Sequence, residues 1–478
     1  MNSYGPRRPN RRRREKSNSM LPFICFVLVW LFILGIIFIA AYAKRHNNDV
    51  GGDTSSGITS SENSDSNTTG NSAGISTSDQ STDQTGTDVP EPVTYTEATI
   101  LSAGDIIAHM AQINYAKAAG DGSYDFSNTF KYIKDIVSSA DLAVANFETT
   151  LGGPELKYSG FPSFNAPDSL LDAVRGAGFD MMLFANNHCY DTNIAGYLRT
   201  QEQFSSHGLE YIGAKKDPSD KAYKVVDVNG IKVGMFNYAD DLSGGNTETR
   251  TINGKKIKDG DLPYLNLYNL SLLDTLYSDV ESIISAMKQE GADIIIAYMH
   301  WGSEYRIEHN QYQTKVAQAL CDRGVDVIIG GHPHVIQDAE VLTSASDQAH
   351  RTLCFYSLGN FVSNQNRRSL GDDTPNSNYT EAGLIVNLTI RKYSTGEVLI
   401  AKAEEIPTFV HRYSAPNGFY AHEIVPLTDA LASPSNYGLS ASSHGEREAR
   451  EMYDLEVALL GDTVEAFNNS IALPAVGQ

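Results

Sequence analysis

The chain has 478 residues and a formal net charge of −21. Residues 1–45 contain nine Lys/Arg and one acidic residue, a net charge of +8, which leaves −29 for the remainder. The length suffices for one large domain or two ordinary ones. A body this acidic lacks the basic face that phosphate contacts require, so no nucleic-acid partner is expected. It would also repel an anionic polymer unless a bound cation intervened.

Residues 21–43 contain no charged side chain. As a helix they would span about 34 Å, enough to cross a bilayer once. The basic tail, residues 1–20, precedes this span, which predicts a cytoplasmic N-terminus and an exported body anchored in the cell membrane. A cleaved signal peptide is the alternative, because Ala41-Tyr42-Ala43 resembles a small-x-small cleavage site. The apolar run exceeds the ~7–15 residues usual in signal peptides, which favours an uncleaved transmembrane helix.

Residues 44–93 are rich in Ser, Thr, Asp and Gly and poor in side chains that form a core. Such a composition buries too little apolar surface to offset the entropy lost on folding. We therefore predict a disordered linker between the membrane span and the folded body.

The four cysteines do not predict a disulfide framework. Cys25 lies in the predicted membrane span, Cys321 and Cys354 have apolar neighbours, and Cys189 directly follows a histidine. Four cysteines are too few to staple a chain of this length, although they leave room for one bridge.

From residue 94 to 430 the sequence alternates between short apolar runs, typical of strands, and segments with helical spacing. The predicted strands are 99–105, 141–146, 179–185, 223–228, 231–238, 292–299, 352–358, 381–390 and 397–406, and the predicted helices are 126–138, 168–176, 194–206, 270–290 and 311–323. Asn229-Gly230 predicts a hairpin turn, and the polar residues 241–268 are an insertion able to cover a site. This order predicts an α/β domain, and a C-terminal extension (431–478) contains a further amphipathic helix at 446–461.

The run Val327-Ile328-Ile329 ends in Gly330-Gly331 and His332-Pro333-His334. Its β-branched residues predict a buried strand. The two glycines are expected to let the backbone turn sharply, at the sheet edge where α/β folds bind ligands. Two imidazoles on a loop stiffened by proline suit one metal ion or a pair, although a surface loop with two solvated histidines is the simpler alternative.

Five predicted strands deliver a polar residue where each strand ends. These residues are Asp105, Glu148, Asn187 with His188, His300, and His332 with His334. Each has a structural alternative, such as a helix cap, a turn or a hydrogen-bonded core histidine. Five successive strand ends with such residues indicate a metal-binding or catalytic site instead. Carboxylate, amide and imidazole ligands without thiolate suit divalent ions such as Mn, Fe, Zn or Mg, with Mn, Fe or Zn preferred. A carboxylate that bridges two ions is typical of phosphate-ester hydrolysis.

Six ordered motifs within residues 97–365 resemble the poly-γ-glutamate capsule-synthesis protein CapA family. They are Gly104-Asp105, Asn146-Phe147-Glu148, Ala185-Asn186-Asn187-His188, His300-Trp301-Gly302-Ser303-Glu304-Tyr305, Gly331-His332-Pro333-His334 and Ser357-Leu358-Gly359-Asn360-Phe361. That family is similar in turn to the calcineurin-like metallophosphoesterases. The resemblance implies a four-layer α/β/β/α sandwich with a two-metal site.

The resemblance also implies a metal-binding role for the strand-end residues. The implied ligands are Asp105 and His334 for the first ion, Asn187, His300 and His332 for the second, and Glu148 as the bridge between them. The sequence departs from the phosphoesterase pattern at the first position, because Asp105 is followed by Ile106-Ile107 instead of a histidine two residues on. His109 lies nearby, at a spacing that does not fit a simple replacement. We therefore expect one or two divalent ions.

His188 resembles the phosphoesterase histidine that protonates a leaving group or holds the transferring oxygen. Cys189 follows it where those enzymes have an acidic residue, so Asp191 is expected to orient the ring.

Four further residues are expected beside the ligands. They are Trp301, Glu304, Tyr305 and Asn360, as partners that orient His300 or as residues that line the site. For Trp301 the competing interpretation is packing, and for Asn360 it is a role in the turn alone.

Three functions are compatible with these features. The first is a metal-dependent, hydrolase-like protein in capsule or poly-γ-glutamate synthesis, export or processing. The second is a non-catalytic component that grips the emerging polymer beside membrane-bound capsule-synthesis proteins, and the third is a phosphoesterase that acts on cell-envelope phosphates. All three would act outside the cytoplasm.

Overall fold

The computed structural model describes residues 92–120, 122–371, 373–439 and 445–476. The predicted basic tail, membrane span and nearly all of the predicted linker lie outside these residues. No helix within the described ranges has both the length and the apolar content needed to cross a membrane.

The described residues form seventeen strands and ten α-helices. The strands are β1 (Tyr95–Ile106), β2 (Leu142–Phe147), β3 (Met181–Leu183), β4 (Glu210–Ile212), β5 (Tyr223–Val228), β6 (Ile231–Asp240), β7 (Thr251–Ile252), β8 (Lys255–Lys256), β9 (Leu267–Tyr268), β10 (Ile294–His300), β11 (Val327–Gly331), β12 (Ala339–Thr343), β13 (Arg351–Phe355), β14 (Asn360–Val362), β15 (Ala382–Tyr393), β16 (Val398–Ser414) and β17 (Tyr420–Pro426). The helices are α1 (Met110–Ala119), α2 (Ser127–Phe130), α3 (Lys134–Val137), α4 (Ser169–Ala177), α5 (Asn193–Ser206), α6 (Leu273–Gln289), α7 (Gln311–Cys321), α8 (Leu427–Ala432), α9 (Gly445–Leu460) and α10 (Thr463–Ser470).

Two large sheets carry the fold. The first has the strand order β17-β16-β15-β1-β2-β3-β4, with β14 paired to β1, and the second has the order β12-β13-β11-β10-β6-β5, with β9 paired to β6. Strands β1 to β4 run parallel, as do β6, β10, β11 and β13. Strands β15 to β17 extend the first sheet in antiparallel fashion. The predicted α/β class is confirmed.

Apolar side chains fill three clusters, one between the two sheets and one on the outer face of each sheet. Strand β10 contributes side chains to two of these clusters. Ile294, Ile296 and Tyr298 face the cluster between the sheets, whereas Ile295 and Ala297 face helices α6 and α7. Because successive side chains on a strand point to opposite faces, a strand covered on both sides reads as a continuous apolar run.

Several elements differ from the sequence-based expectation. The predicted helix at 126–138 is two single-turn helices, α2 and α3, and the predicted strand at 179–185 narrows to the three residues of β3. The expected helix at 446–461 is α9, and a further helix, α10, follows it. Met452 and Leu460 of α9 join the cluster between the sheets, so this part of the C-terminal extension contributes to the core.

Candidate metal centre

The strand ends of both sheets meet at one buried cluster of polar side chains. Asp105 is the penultimate residue of β1, Glu148 follows β2, and His300 is the last residue of β10. All six residues that the sequence predicted as metal ligands are buried. The structure therefore brings the predicted ligands together.

Asp105, Glu148 and His334 form the first of two possible ligand groups, because one ligand atom from each lies within 4.8 Å of the others. His334 Nδ1 lies 3.1 Å from Asp105 Oδ2. His334 Nε2 lies 3.7 Å from Glu148 Oε1.

Glu148, His300 and His332 form the second group by the same measure. His300 Nε2 lies 3.7 Å from Glu148 Oε1 and 2.8 Å from Asn187 Oδ1. The rings of His300 and His332 are 4.8 Å apart between centroids. Both groups contain Glu148, the residue that the sequence predicted as a bridge. These buried groups could hold one divalent ion each.

Two buried atoms of the cluster have no hydrogen-bond partner among the described residues. They are Glu148 Oε1 and His332 Nδ1. Burial, and next the charge of Asp105, raise the pKa of Glu148 well above its usual range. A buried carboxylate with one oxygen unpartnered, beside a second carboxylate, is costly unless a cation compensates it. A divalent cation fits this donor set.

Two histidines of the cluster, His300 and His332, are held in the neutral form that binds metals. Burial, followed by the neighbouring His334, lowers the pKa of His332 to about 3. Burial and then His332 lower the pKa of His300 well below its usual range. A neutral imidazole keeps a lone pair for a metal ion at any physiological pH.

Asn146 is a central residue of the cluster to which sequence analysis assigned no role. Its Nδ2 donates to Asp105 Oδ1 at 2.7 Å and lies 3.3 Å from Glu148 Oε2 and 3.4 Å from His300 Nδ1. It therefore ties together the ends of β1, β2 and β10. The available signal was its position two residues before Glu148, which puts both side chains on the same side of an extended strand.

The glycines of the Gly330-Gly331 pair do not provide the sharp turn that was expected of them. Neither has a left-handed φ, whereas His332 and His334 have φ values of 98° and 58°. A Cβ atom on Gly330 would lie 2.0 Å from the carbonyl oxygen of Tyr356, and one on Gly331 would lie 2.9 Å from Asp105 Oδ1. The glycines provide space for close packing, and the two histidines adopt the strained backbone instead.

Gly330→Ala is expected to lower the free energy of unfolding by about 1–3 kcal/mol, because the neighbour that the methyl group meets is backbone and cannot rotate away. Chemical denaturation followed by circular dichroism measures this change. Gly260→Ala is the matched control, since a Cβ atom there meets no atom within 4 Å. Equal unfolding midpoints for the two variants would contradict the packing explanation.

His188 and Asp191 form a buried pair beside the ligand groups. His188 Nδ1 lies 2.8 Å from Asp191 Oδ2, and the backbone N–H of Phe164 donates to the same oxygen at 2.6 Å. Asn186 shapes the loop, because its Nδ2 donates to Asn146 Oδ1 and its Oδ1 accepts from the backbone N–H of His188. The arrangement leaves Nε2 as the ring nitrogen that is available for proton transfer.

Trp301, Glu304, Tyr305 and Asn360 occupy different surroundings. Trp301 is buried, and its Nε1 donates to the Tyr356 carbonyl at 2.9 Å. Its ring packs in the apolar cluster between the second sheet and its helices. Asn360 Nδ2 donates to the His334 carbonyl at 3.2 Å and supports that strained residue.

Tyr305 and Glu304 lie at the edge of the cluster. The Tyr305 ring is 6.2 Å from that of His334, and Glu304 is exposed. The hydrogen-bond contacts of the His300 ring are instead with Asn187 and Asn146.

His109 is not among the ligand groups. It precedes α1, and its Nε2 lies 3.2 Å from Ser363 Oγ. Its ring packs edge-on against Phe164, 4.9 Å away. Cys189, Cys321 and Cys354 are buried free thiols.

An α/β fold whose strand ends gather two ligand groups around one shared carboxylate defines a candidate divalent-metal protein. The chain belongs to the bacterial capsule synthesis protein family PGA_cap, whose model matches residues 99–365. The predicted CapA family is thereby confirmed.

Two CapA proteins show the same similarity. "Capsule biosynthesis protein CapA" of Bacillus anthracis is 28% identical over 289 residues, which are 58% of this chain and 64% of that protein. "PGA biosynthesis protein CapA" of Bacillus subtilis (strain 168) is 28% identical over 289 residues, 58% of this chain and 67% of that protein. The match thus spans slightly less than two thirds of the Bacillus anthracis protein.

Among solved structures, the crystal structure of TT1561 of Thermus thermophilus is 7% identical, with a TM-score of 0.30, and the alignment covers 60% of this chain and 93% of that one. A similarity of this size carries no argument about function or fold.

Proposed function

We propose that this protein is a membrane-anchored, extracytoplasmic CapA-like hydrolase that acts on an anionic polymer such as poly-γ-glutamate during capsule synthesis, export or processing. The observation that carries the proposal is the pair of buried ligand groups that share Glu148. The names of the Bacillus relatives support the assignment to capsule and PGA biosynthesis. We further propose that the two sheets and their helices are the four-layer sandwich of the metallophosphoesterases.

In this proposal Asp105, Glu148 and His334 hold one ion, and Glu148, His300, His332 and Asn187 hold a second. When bound, Mn, Fe or Zn would supply Lewis-acid polarisation of the substrate and an activated water. Positive charge at the strand ends would also attract a polymer that the acidic body repels.

The protein's own residues would supply positioning and proton transfer. Asp191 Oδ2 accepts a hydrogen bond from His188 Nδ1, which fixes the ring and would direct Nε2 toward a bound substrate. His188 would then hold or deliver a proton at the leaving-group oxygen or nitrogen. A non-catalytic polymer-gripping protein has no need of such a pair, which favours hydrolysis over that alternative.

The proposed cellular location of the protein is based on its sequence alone. We propose that residues 21–43 cross the cell membrane once with the N-terminus in the cytoplasm, and that residues 44–93 tether the domain outside. Membrane-bound capsule-synthesis components would then be its partners.

Metal content of the purified full chain tests the proposal. We expect one or two divalent ions per chain by elemental analysis, and a shortening of added poly-γ-glutamate that requires them. Absence of a stoichiometric ion would remove the hydrolase proposal. In capsulated cells, His332→Ala is expected to change the amount or length of surface polymer, whereas His411→Ala, at a buried histidine outside the ligand groups, is not.

A phosphoesterase acting on cell-envelope phosphates is the second candidate, favoured by the His188–Asp191 pair beside a shared carboxylate. Turnover of a generic phosphodiester by the metal-loaded protein, lost in His300→Ala and without any effect on poly-γ-glutamate, would favour it over polymer hydrolysis.

A further inference from the structure

The polar insertion at 241–268 places a small hairpin against the His188–Asp191 pair. Strands β7 and β8 are joined by the two-residue turn Asn253-Gly254, with φ values of 48° and 69°. Ile252, the last residue of β7, and Ile257, which follows β8, are buried in the cluster that covers the outer face of the first sheet. The hairpin is therefore fastened to the body by its apolar residues.

The side chain at the tip of this hairpin reaches three polar groups. Asn253 Nδ2 lies 3.0 Å from the Pro162 carbonyl oxygen, 3.1 Å from His188 Nδ1 and 3.5 Å from Asp191 Oδ1. Two of the three are acceptors, so the amide nitrogen, not the amide oxygen, faces the pair.

The position of the proton on the His188 ring determines which groups the Asn253 amide donates to. Nδ1 lies 2.8 Å from Asp191 Oδ2, and a ring nitrogen this close to a carboxylate carries the proton. Nδ1 therefore donates to Asp191 and accepts nothing from Asn253. The Asn253 amide donates instead to the Pro162 carbonyl and to the second oxygen of Asp191.

A second residue of the hairpin, Lys255, contacts the backbone at Tyr190 and Asp191. Lys255 Nζ donates to the carbonyl oxygen of Asp191 at 2.8 Å and lies 3.4 Å from that of Tyr190. Asp191 is thus held through its backbone by Lys255 and through its carboxylate by Asn253, Phe164 and His188.

We infer that Asn253 is a positioning residue, which holds the Asp191 carboxylate and so keeps the His188 ring in the form with its proton on Nδ1 and a free Nε2. This inference rests on the proposed role of His188 and assigns to the inserted hairpin a part in the chemistry of the site. The left-handed backbone of Asn253 itself follows from the two-residue Asn-Gly turn.

The test compares Asn253→Gly with the parent by nuclear magnetic resonance of the full chain labelled with ¹⁵N-histidine, with His188→Gln to assign the ring signals. Glycine keeps the left-handed turn and removes only the amide. We expect the parent His188 ring to be almost wholly in the Nδ1–H form and the variant to show a mixture of both tautomers. The Phe164 amide proton is expected to exchange with solvent at least tenfold faster in the variant.

Asn229→Gly is the matched control. Asn229 also begins a two-residue Asn-Gly hairpin turn with a left-handed φ of 55°, and its side chain contacts the Glu97 carbonyl outside the site. It should leave the His188 tautomer and the Phe164 exchange rate within twofold of the parent. Asn253→Asp keeps the side-chain shape but sets a carboxylate against Asp191, and should disturb the tautomer as much as glycine does.

An unchanged tautomer in both Asn253 variants, or an equal change in Asn229→Gly, would overturn the inference. Metal content separates this result from the proposed function. If the parent binds no divalent ion, the hydrolase proposal fails, while the tautomer comparison still decides the role of Asn253. If the parent binds metal, Asn253→Gly should bind the same amount.

Discussion

Glu148→Gln is expected to abolish divalent-ion binding and, at the same time, to stabilise the metal-free protein. Glu148 belongs to both ligand groups, so its loss weakens both. Because loss of a residue that only supports a ligand costs about 10–100-fold in metal affinity, we expect at least about a 100-fold loss here. Titration of the metal-free protein with Mn²⁺ or Zn²⁺ measures this change.

The gain in stability follows from the raised pKa of Glu148. A carboxyl group whose pKa is raised by folding stabilises the protein below its unfolded pKa, about 4.3, and that contribution is lost as pH rises through the folded pKa. At neutral pH the metal-free parent therefore carries a buried acid that opposes folding. Glutamine removes this cost, and we expect a gain of about 1–3 kcal/mol at pH 7 in EDTA that shrinks toward pH 4.

Glu423→Gln is the matched control for a buried glutamate outside the cluster. Glu423 accepts hydrogen bonds from Lys131 Nζ at 2.7 Å and Asn128 Nδ2 at 2.8 Å, so its charge is compensated. Its replacement should destabilise the protein and leave metal binding unchanged. Destabilisation of the metal-free form by Glu148→Gln as well would show that the carboxylate is compensated by groups other than a metal ion.

Asp105→Asn and His332→Ala are expected to remove different ions. Asp105 belongs only to the group with His334, and His332 only to the group with His300. Each variant of a two-ion parent should therefore retain one ion per chain. If the parent binds a single ion, we expect Asp105→Asn to keep it and His332→Ala to lose it.

Elemental analysis after gel filtration measures the stoichiometry, and His411→Ala serves as the buried-histidine control. Loss of both ions in each single variant would indicate one shared, strongly coupled centre. Retention of both ions in both variants would contradict the assignment of the ligands.

The ligand set could be predicted from the sequence because the ligands lie at or shortly after the ends of apolar runs. Such runs predict parallel strands buried on both faces, and parallel strands bring their carboxyl ends to one edge. Asp105, Glu148 and His300 were found this way, and the resemblance to a family added the pairing of His332 and His334 with different ions.

The remaining features depend on contacts between distant segments. Asn253 contacts Asp191 because Ile252 and Ile257 pack the insertion against the core. The sequence of a polar insertion does not indicate which part of the body it packs against. Gly330 is needed because the carbonyl group of Tyr356, the residue that directly follows β13, packs against it. Strand β3 has three residues, too few for a period-2 pattern to mark its ends.

The position of β1 in the first sheet has a consequence for how the protein matures. Strand β1, which carries Asp105, pairs on one side with β2 and on the other with β15, almost three hundred residues later in the chain. Contacts this distant in sequence form late and slowly. We therefore expect the sheet that positions Asp105 to be among the last parts of the fold to form, so that metal binding to the first ligand group would report completed folding.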